Sequence, residues 1–438
     1  MFRVHGKIER RATLELKDKL SVLFPKIRQE IRDLLDSHGD TVISEVTIRQ
    51  AFGGMRGVKS LICDTSVVKP NLGLIIRGYP ILDLTDKSPE EIFYLLLTGE
   101  LPDEASLSDL HHALVARREV PDYVWKVLDA MDEHAHPMTM LSTAILVMQR
   151  DSEFAHQYRE GIHKNDLWIP ALEDALRIIA RVPSIAAWIY RKRFWKGERI
   201  ASNSALDWGA DFANMLGVED PDGNFTDLIR LYMVLHSDHE GGNVSAHTCH
   251  CVASALSDPF YATSAGLNGL SGPLHGLANQ ECLRFILSLQ ESFGGVPSKE
   301  DLEKFAWENL NSGKVIPGYG HAVLRVTDPR FTAFREFGLK VCPDDELFKI
   351  VDLLFQTIPN VLIEHGKAAN PWPNVDAGSG ALLYHFGIRE FDYYTVLFGA
   401  SRLMGMLAQT IISRGMGEAI ERPKSVRISW IKEQLNLS

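Results

Sequence analysis

Apolar residues recur at three- and four-residue intervals along most of the chain. Leu16, Leu20, Leu23, Ile27, Ile31 and Leu34 mark one helical face, and Gly39 follows as a stop signal. Pro25 interrupts that face and predicts a kink or a break into two helices. Short β-branched stretches occur at Thr41–Ile48, Ser60–Val68 and Leu72–Ile76, punctuated by Gly53, Gly54, Gly57 and Gly73. Ser88, Pro89 and Glu91 then supply a cap, a first-turn proline and a capping-box acid, with Gly99 closing the segment. Further helices are predicted over Asp109–Arg117, Tyr123–Glu133, Met138–Met148, Leu172–Lys192, Asp227–Asp238, Val244–Leu256, Leu274–Phe293, Lys299–Asn311, Asp345–Gln356 and Tyr393–Arg414. No fixed-period repeat, low-complexity tract or long linker divides them. The pattern predicts an all-α globular fold with minor β structure near the N-terminus. Glycine is dense at 266–276, 313–320 and 378–387, three candidate hinge loops that bracket a region able to move as a unit.

Composition narrows the function classes. The chain has 438 residues, a size for one large domain or two to three ordinary ones. Hydrophobic residues make up 45% and charged residues 24%, which allows a sizeable core and excludes general disorder. The net charge of −11 argues against a nucleic-acid partner, since phosphate neutralisation needs a basic surface. No membrane span is expected: the best candidate, Tyr393–Ile412, carries Arg402 in its middle. Five cysteines (Cys63, Cys249, Cys251, Cys282, Cys342) without paired spacing suit a reducing compartment. The first twelve residues carry Arg3, Lys7, Arg10 and Arg11 but no apolar core, so they are not a signal peptide; they read as the stub of a transit peptide or a cloning remnant.

Four blocks and two late arginines carry candidate chemistry. His236-Ser-Asp-His239-Glu-Gly-Gly-Asn243 sits at a predicted helix end, where His239 is either a C-terminal cap or a ligand-facing group. His236/His239 and His247/His250 have a spacing that could hold zinc, but neither matches a known zinc-helix order, so no metal is expected. In Gly269-Leu-Ser-Gly-Pro273-Leu-His275, Pro273 predicts a helix start that places His275 in the first turn. There the helix dipole opposes protonation and favours a neutral hydrogen-bond donor suited to an enolate oxygen. Val315-Ile316-Pro-Gly318-Tyr319-Gly320-His321 offers exposed backbone for a ligand, with Arg325 and Arg330 beside it. Asn370-Pro-Trp-Pro-Asn374-Val-Asp376-Ala-Gly378 fixes a loop around one carboxylate. Arg402, inside an apolar helix, needs an anionic partner, and Glu421-Arg422-Pro-Lys-Ser follows.

Together and in this order, from Ala51-Phe-Gly-Gly-Met-Arg56-Gly to Glu421-Arg422-Pro-Lys-Ser, these strings closely resemble the citrate synthase family over nearly the whole chain. The resemblance implies a helical homodimer with a discontinuous large domain, residues 1–275 and 379–438, and a small mobile domain, 276–378. It implies Claisen-type condensation of an acyl-CoA with oxaloacetate and thioester hydrolysis, without a metal or resident cofactor. Asp376 would be the base, His275 the donor to the thioester oxygen, and His321 the polariser of the ketone. His239, Arg330, Arg402 and Arg422 would hold the carboxylates, Arg422 reaching in from the other subunit. Val315, Ile316, Gly318, Tyr319, Gly320 and Asn374 would receive coenzyme A, with Arg56, Arg325 and Lys367 near its phosphates. The sequence departs from the commoner eukaryotic pattern at Gly378, where histidine is usual. Asp376-Ala-Gly-Ser-Gly looks like fungal 2-methylcitrate synthases of the mitochondrial matrix. A lost imidazole would free volume near the acyl methyl. Propionyl-CoA is therefore the expected substrate, with acetyl-CoA also used and plain citrate synthesis the alternative.

Overall fold

Helix α1 (Glu15–His38) runs through Pro25 without the expected break. Its buried face of Leu16, Leu20 and Phe24 stays continuous, and that burial outweighs one missing backbone hydrogen bond. The computed structural model describes residues 14–321, 323–368 and 370–437; the basic segment from Arg3 to Arg11 lies outside them. The stretch 41–47 is extended but unpaired, with Val42 and Ile43 exposed, and it leads into α2 (Ile48–Phe52) through a Thr47–Gln50 capping box. β-Branching suits a strand only where a neighbour takes up the backbone groups, and none does here. The strands are β1 (Ser66–Lys69), β2 (Gly73–Ile76) and β3 (Tyr79–Pro80), a small antiparallel sheet in that order.

Among the described residues every other regular element is helical. α3 (Pro89–Thr98) shows the expected capping box and left-handed Gly99. There follow α4 (Glu104–Val115), α5 (Asp122–Ala130), α6 (Pro137–Val147), α7 (Glu153–Arg159), α8 (Trp168–Arg193), α9 (Trp208–Leu216) and α10 (Asn224–His236). Next come α11 (Val244–Ser254), α12 (Pro259–Leu270), α13 (Ala278–Phe293), α14 (Lys299–Asn311) and α15 (Pro329–Val341). The chain ends with α16 (Glu346–His365), α17 (Asp376–His385), α18 (Phe391–Met416) and α19 (Ile428–Gln434).

Helix α18 is the axis of the larger part, packed by α1, α3, α6, α8, α10, α11 and α12. It is long and apolar enough to cross a membrane, yet 89% of its most apolar window is buried inside the protein. Helices α13 to α17 pack chiefly on one another and touch the rest mainly through α15 on the short helical turn Ile81–Leu84, α13–α18, α10–α15 and the β2 edge. Two of the expected glycine loops are helical in part, 266–270 and 378–385. Gly266 lies within α12, where a β-carbon would sit 2.6 Å from Met406 Sδ, so its role is close helix approach. Gly378 and Gly380 lie within α17.

Candidate active site

The base candidate opens a helix. Asp376 is the first residue of α17, and its backbone N–H donates to Asn374 Oδ1 at 3.0 Å. Burial pushes its carboxyl up to about 6, against the pull of Arg330. The 315–320 loop is stitched to the same segment. Asn374 N–H donates to the Gly318 carbonyl (2.9 Å), Asn374 Nδ2 to the Gly320 carbonyl (3.1 Å), and Gly320 N–H to the Trp372 carbonyl (3.0 Å). Gly318 has φ 80°, and a β-carbon there would lie 2.9 Å from Ala377, so only glycine lets the loop lie this close to the base helix. Tyr319 bridges Pro373, Ile316 is buried, and Val315 is 80% exposed at the loop's outer end.

Both candidate imidazole donors are held neutral. His275 does not start a helix: it sits in the turn before α13, its N–H donating to the Gly272 carbonyl. Its anchoring hydrogen bond comes from a different helix. Ser245, in the first turn of α11, donates its backbone N–H to His275 Nε2 at 3.2 Å. Nε2 must therefore be unprotonated, which leaves Nδ1–H as the free donor. Burial, then Arg402, lower its pKa to about 4. His321 is oriented the other way. Its Nδ1 accepts the N–H groups of Val323 and Leu324, both at 3.0 Å, so Nε2–H is the donor. Burial, followed by Arg330, again lowers its pKa.

Cations surround these groups. Arg402, 2% exposed, donates Nε–H to the His236 carbonyl (3.0 Å) and stacks 4.8 Å from the Phe398 ring centroid. Burial draws its pKa down to about 10, so it keeps its charge at neutral pH. Arg330, 5% exposed, is held in a fork by Asp328, Nη2 to Oδ2 at 2.7 Å and Nε to Oδ1 at 3.1 Å. His239 lies past the end of α10, with its ring 6.1 Å from that of His321. Burial, Arg330, Arg402 and His321 push its pKa well down. Its Nε2 is buried without a hydrogen-bond partner, an orphan polar atom in a cationic pocket. Such a pocket suits a small dianion, and a neutral donor over a carbonyl suits enolate chemistry.

One chain thus gathers Asp376, His275, His321, His239, Arg330 and Arg402. It does not gather the others. Arg422 is exposed after α18, and among the described residues no hydrogen bond or ion pair joins it to this cluster. Arg56 and Lys367 are exposed; so is Arg325, whose Nη1 turns back onto the carbonyls of Val323 and Leu324. Gly378 faces inward, where a β-carbon would lie 3.3 Å from both Phe331 and Val351. The volume expected there is filled by those side chains rather than open. The H-x-x-H pairs face other partners: His247 meets Glu421 at 2.8 Å, and His236 Nδ1 bonds the Tyr232 carbonyl.

Sequence reasoning missed Asp328, Asn243 and Ser245. Asp328 had a signal, since Asp followed by Pro is a helix-capping dipeptide, and it does cap α15. Asn243 Nδ2 donates to the carbonyls of His239 and Glu240, while its Oδ1 accepts from Ser245 Oγ. The two histidine blocks are thereby joined.

Comparison with known proteins agrees with this arrangement. The profile described as citrate synthase, C-terminal domain, matches residues 54–424. The mitochondrial citrate synthase 4 of Arabidopsis thaliana is 48% identical over 429 residues, covering 96% of this chain and 90% of that protein. Mitochondrial citrate synthase of Saccharomyces cerevisiae is 47% identical over 428 residues, covering 95% and 89%. The crystal structure of citrate synthase from Pyrobaculum aerophilum superposes with a TM-score of 0.77 at 27% identity, over 89% of this chain and 95% of that one.

Proposed function

This chain belongs to the citrate synthase family, and from that premise we propose that it condenses acetyl-CoA with oxaloacetate and hydrolyses the product thioester to citrate and free coenzyme A. The observation that carries the reading is the convergence of one carboxyl of raised pKa with two neutral, oppositely oriented imidazoles beside two buried arginines.

Asp376 removes a proton from the acyl α-carbon. The electron pair moves into the thioester carbonyl, whose oxygen takes a hydrogen bond from His275 Nδ1–H. A neutral donor is matched to this task, because an imidazolium would hand its proton over rather than share it. The enol carbon attacks the ketone of oxaloacetate, polarised by His321 Nε2–H, while His239, Arg330 and Arg402 hold the two carboxylates. Water then cleaves the carbon–sulfur bond. Coenzyme A lies along Val315–Gly320 and Asn374, its phosphates meeting Arg56, Arg325 and Lys367. No resident cofactor or metal enters.

Arg422 completes the carboxylate site of a second copy in a homodimer. Its exposure in the single chain supports this. Residues 276–378 form the closing unit, supported by the mutual packing of the helices that follow Gly276. The names of the relatives support a mitochondrial address.

Propionyl-CoA and 2-methylcitrate are the narrower reading. It rests on Gly378, but Phe331 and Val351 fill the space there, and the relatives are named citrate synthases. Acetyl-CoA is accordingly the proposed main substrate and propionyl-CoA a slower one, since a methylene is worth only about 1–3 kcal/mol in such a pocket. The test is the ratio of kcat/KM for the two thioesters: a ratio favouring propionyl-CoA overturns this order.

A further inference from the structure

The β1–β2 hairpin touches both walls of the dianion pocket. At its base it binds the residues on either side of His239. Asp238, fully buried, accepts from Thr65 Oγ1 (2.6 Å) and Ser66 Oγ (2.8 Å). Glu240 N–H donates to Ser66 Oγ (2.8 Å), and Glu240 Oε1 accepts the Val68 N–H (2.6 Å). Glu240 holds φ 59°, a left-handed conformation that these bonds help to fix.

At its tip the hairpin meets the segment that carries Arg330. The Pro70 carbonyl accepts the Arg325 N–H at 2.8 Å. Gly73, with φ 81°, lies so close to Pro329 that a β-carbon would overlap the proline ring. Pro329 is the first residue of α15 and directly precedes Arg330. The same segment is fastened to the base loop, because Asp328 N–H donates to the Pro373 carbonyl at 3.1 Å.

We propose that this hairpin is a spacer that sets the separation of His239 from Arg330, with Gly73 as a positioning residue acting through Pro329. The inference rests on the assignment of that pocket to oxaloacetate. The hairpin contributes no group to the ligand. It works because one short, hydrogen-bonded element is anchored to the His239 loop at one end and packed under the Arg330 loop at the other.

The test uses the full-length chain and three variants, with oxaloacetate KM and kcat from steady-state turnover of acetyl-CoA, and oxaloacetate Kd from calorimetry. Gly73→Ala is expected to raise KM and Kd for oxaloacetate about ten-fold while kcat changes less than about two-fold. Gly78→Ala is the control for backbone strain: it has φ 92° in the next turn of the same sheet, with open space around it. It should lose comparable stability yet leave KM unmoved. Pro329→Ala, which removes the overlapping ring, should restore most of the affinity when combined with Gly73→Ala.

Equal effects of the two glycine variants, an unchanged Kd in Gly73→Ala, or no recovery in the double variant would overturn the proposal. If Gly73→Ala fails to fold, Pro329→Ala alone decides. Loss of the contact should raise Kd for oxaloacetate about three-fold with kcat retained, and an unchanged Kd refutes the spacer. A wild-type chain that makes no citrate would refute the parent reading instead, a result distinct from any of these.

Discussion

Two sets of cations differ in how far a single chain builds them. Arg330 and Arg402 are 5% and 2% exposed, and each is pinned, one by the Asp328 fork and the other by the His236 carbonyl and the Phe398 face. Arg56, Arg325 and Lys367 are exposed, and among the described residues only Arg325 of the three is held at all, by the neighbouring carbonyls of Val323 and Leu324. The contrast follows from desolvation. A buried guanidinium must be compensated by fixed partners before any ligand arrives, and that compensation orients it. An exposed cation needs no partner and gains an orientation only when a phosphate supplies one. In the proposed function, preorganised charge holds the reacting dianion and adaptable charge meets the carrier that must enter and leave.

The largest effect expected on this contrast is at the base. Asp376→Asn should lower kcat about 10²- to 10⁴-fold, measured as free thiol released from acetyl-CoA, with oxaloacetate binding retained. The same substitution should stabilise the fold near neutral pH. The folded carboxyl titrates at about 6, above its ordinary value near 3.8, so ionising it weakens the native state. The gain should be on the order of 3 kcal/mol above pH 6 and vanish below about pH 4, where the carboxyl is protonated in both folded and unfolded chains. Denaturant titrations at the two pH values read the difference.

Next comes the buried pair. Arg330→Ala should destabilise by about 3 kcal/mol, because it strands Asp328 without its counter-charge. Adding Asp328→Ala should return part of that loss, whereas oxaloacetate affinity should stay low in both. Additive losses would show that the fork is not a unit. The acid limb of kcat/KM should have an apparent pKa near 6, set by Asp376, activity falling as pH drops through it. His275, at about 4, is neutral through the whole working range and should give no limb of its own above pH 5. The smallest effect belongs to the solvent-exposed set. Arg325→Ala and Lys367→Ala should each raise KM for the acyl-CoA about two- to five-fold, less at high salt, with no change in melting temperature.

The sequence announced most of the long helices, the caps at Ser88 and Gly99, and all six members of the cluster, but not the helices Pro259–Leu270, Pro329–Val341 and Asp376–His385, whose glycine- or proline-bearing starts read as loops. Helical periodicity and short motifs are local, and local signals survive in one dimension. What stayed hidden was the long-range pairing. His275 owes its neutrality to burial and to Arg402, and its orientation to Ser245, thirty positions upstream, rather than to the dipole of its own helix. Gly378 reads as a vacancy beside the base until Phe331 and Val351 are seen against it. Thr41–Ile48 has strand composition but no partner strand, and Pro25 predicts a break that tertiary burial overrides. Gly73 and Pro329 lie about 250 residues apart, and nothing in either neighbourhood points to the other.

The central claim is that Asp376 takes the proton that starts the reaction. The most direct measurement is release of coenzyme A thiol on mixing acetyl-CoA and oxaloacetate with wild type and with Asp376→Asn, alongside calorimetric oxaloacetate binding. The account requires fast release by wild type, a loss of at least about 100-fold in the variant, and equal oxaloacetate affinity in both. Undiminished thiol release by a folded, oxaloacetate-binding Asp376→Asn chain would contradict it.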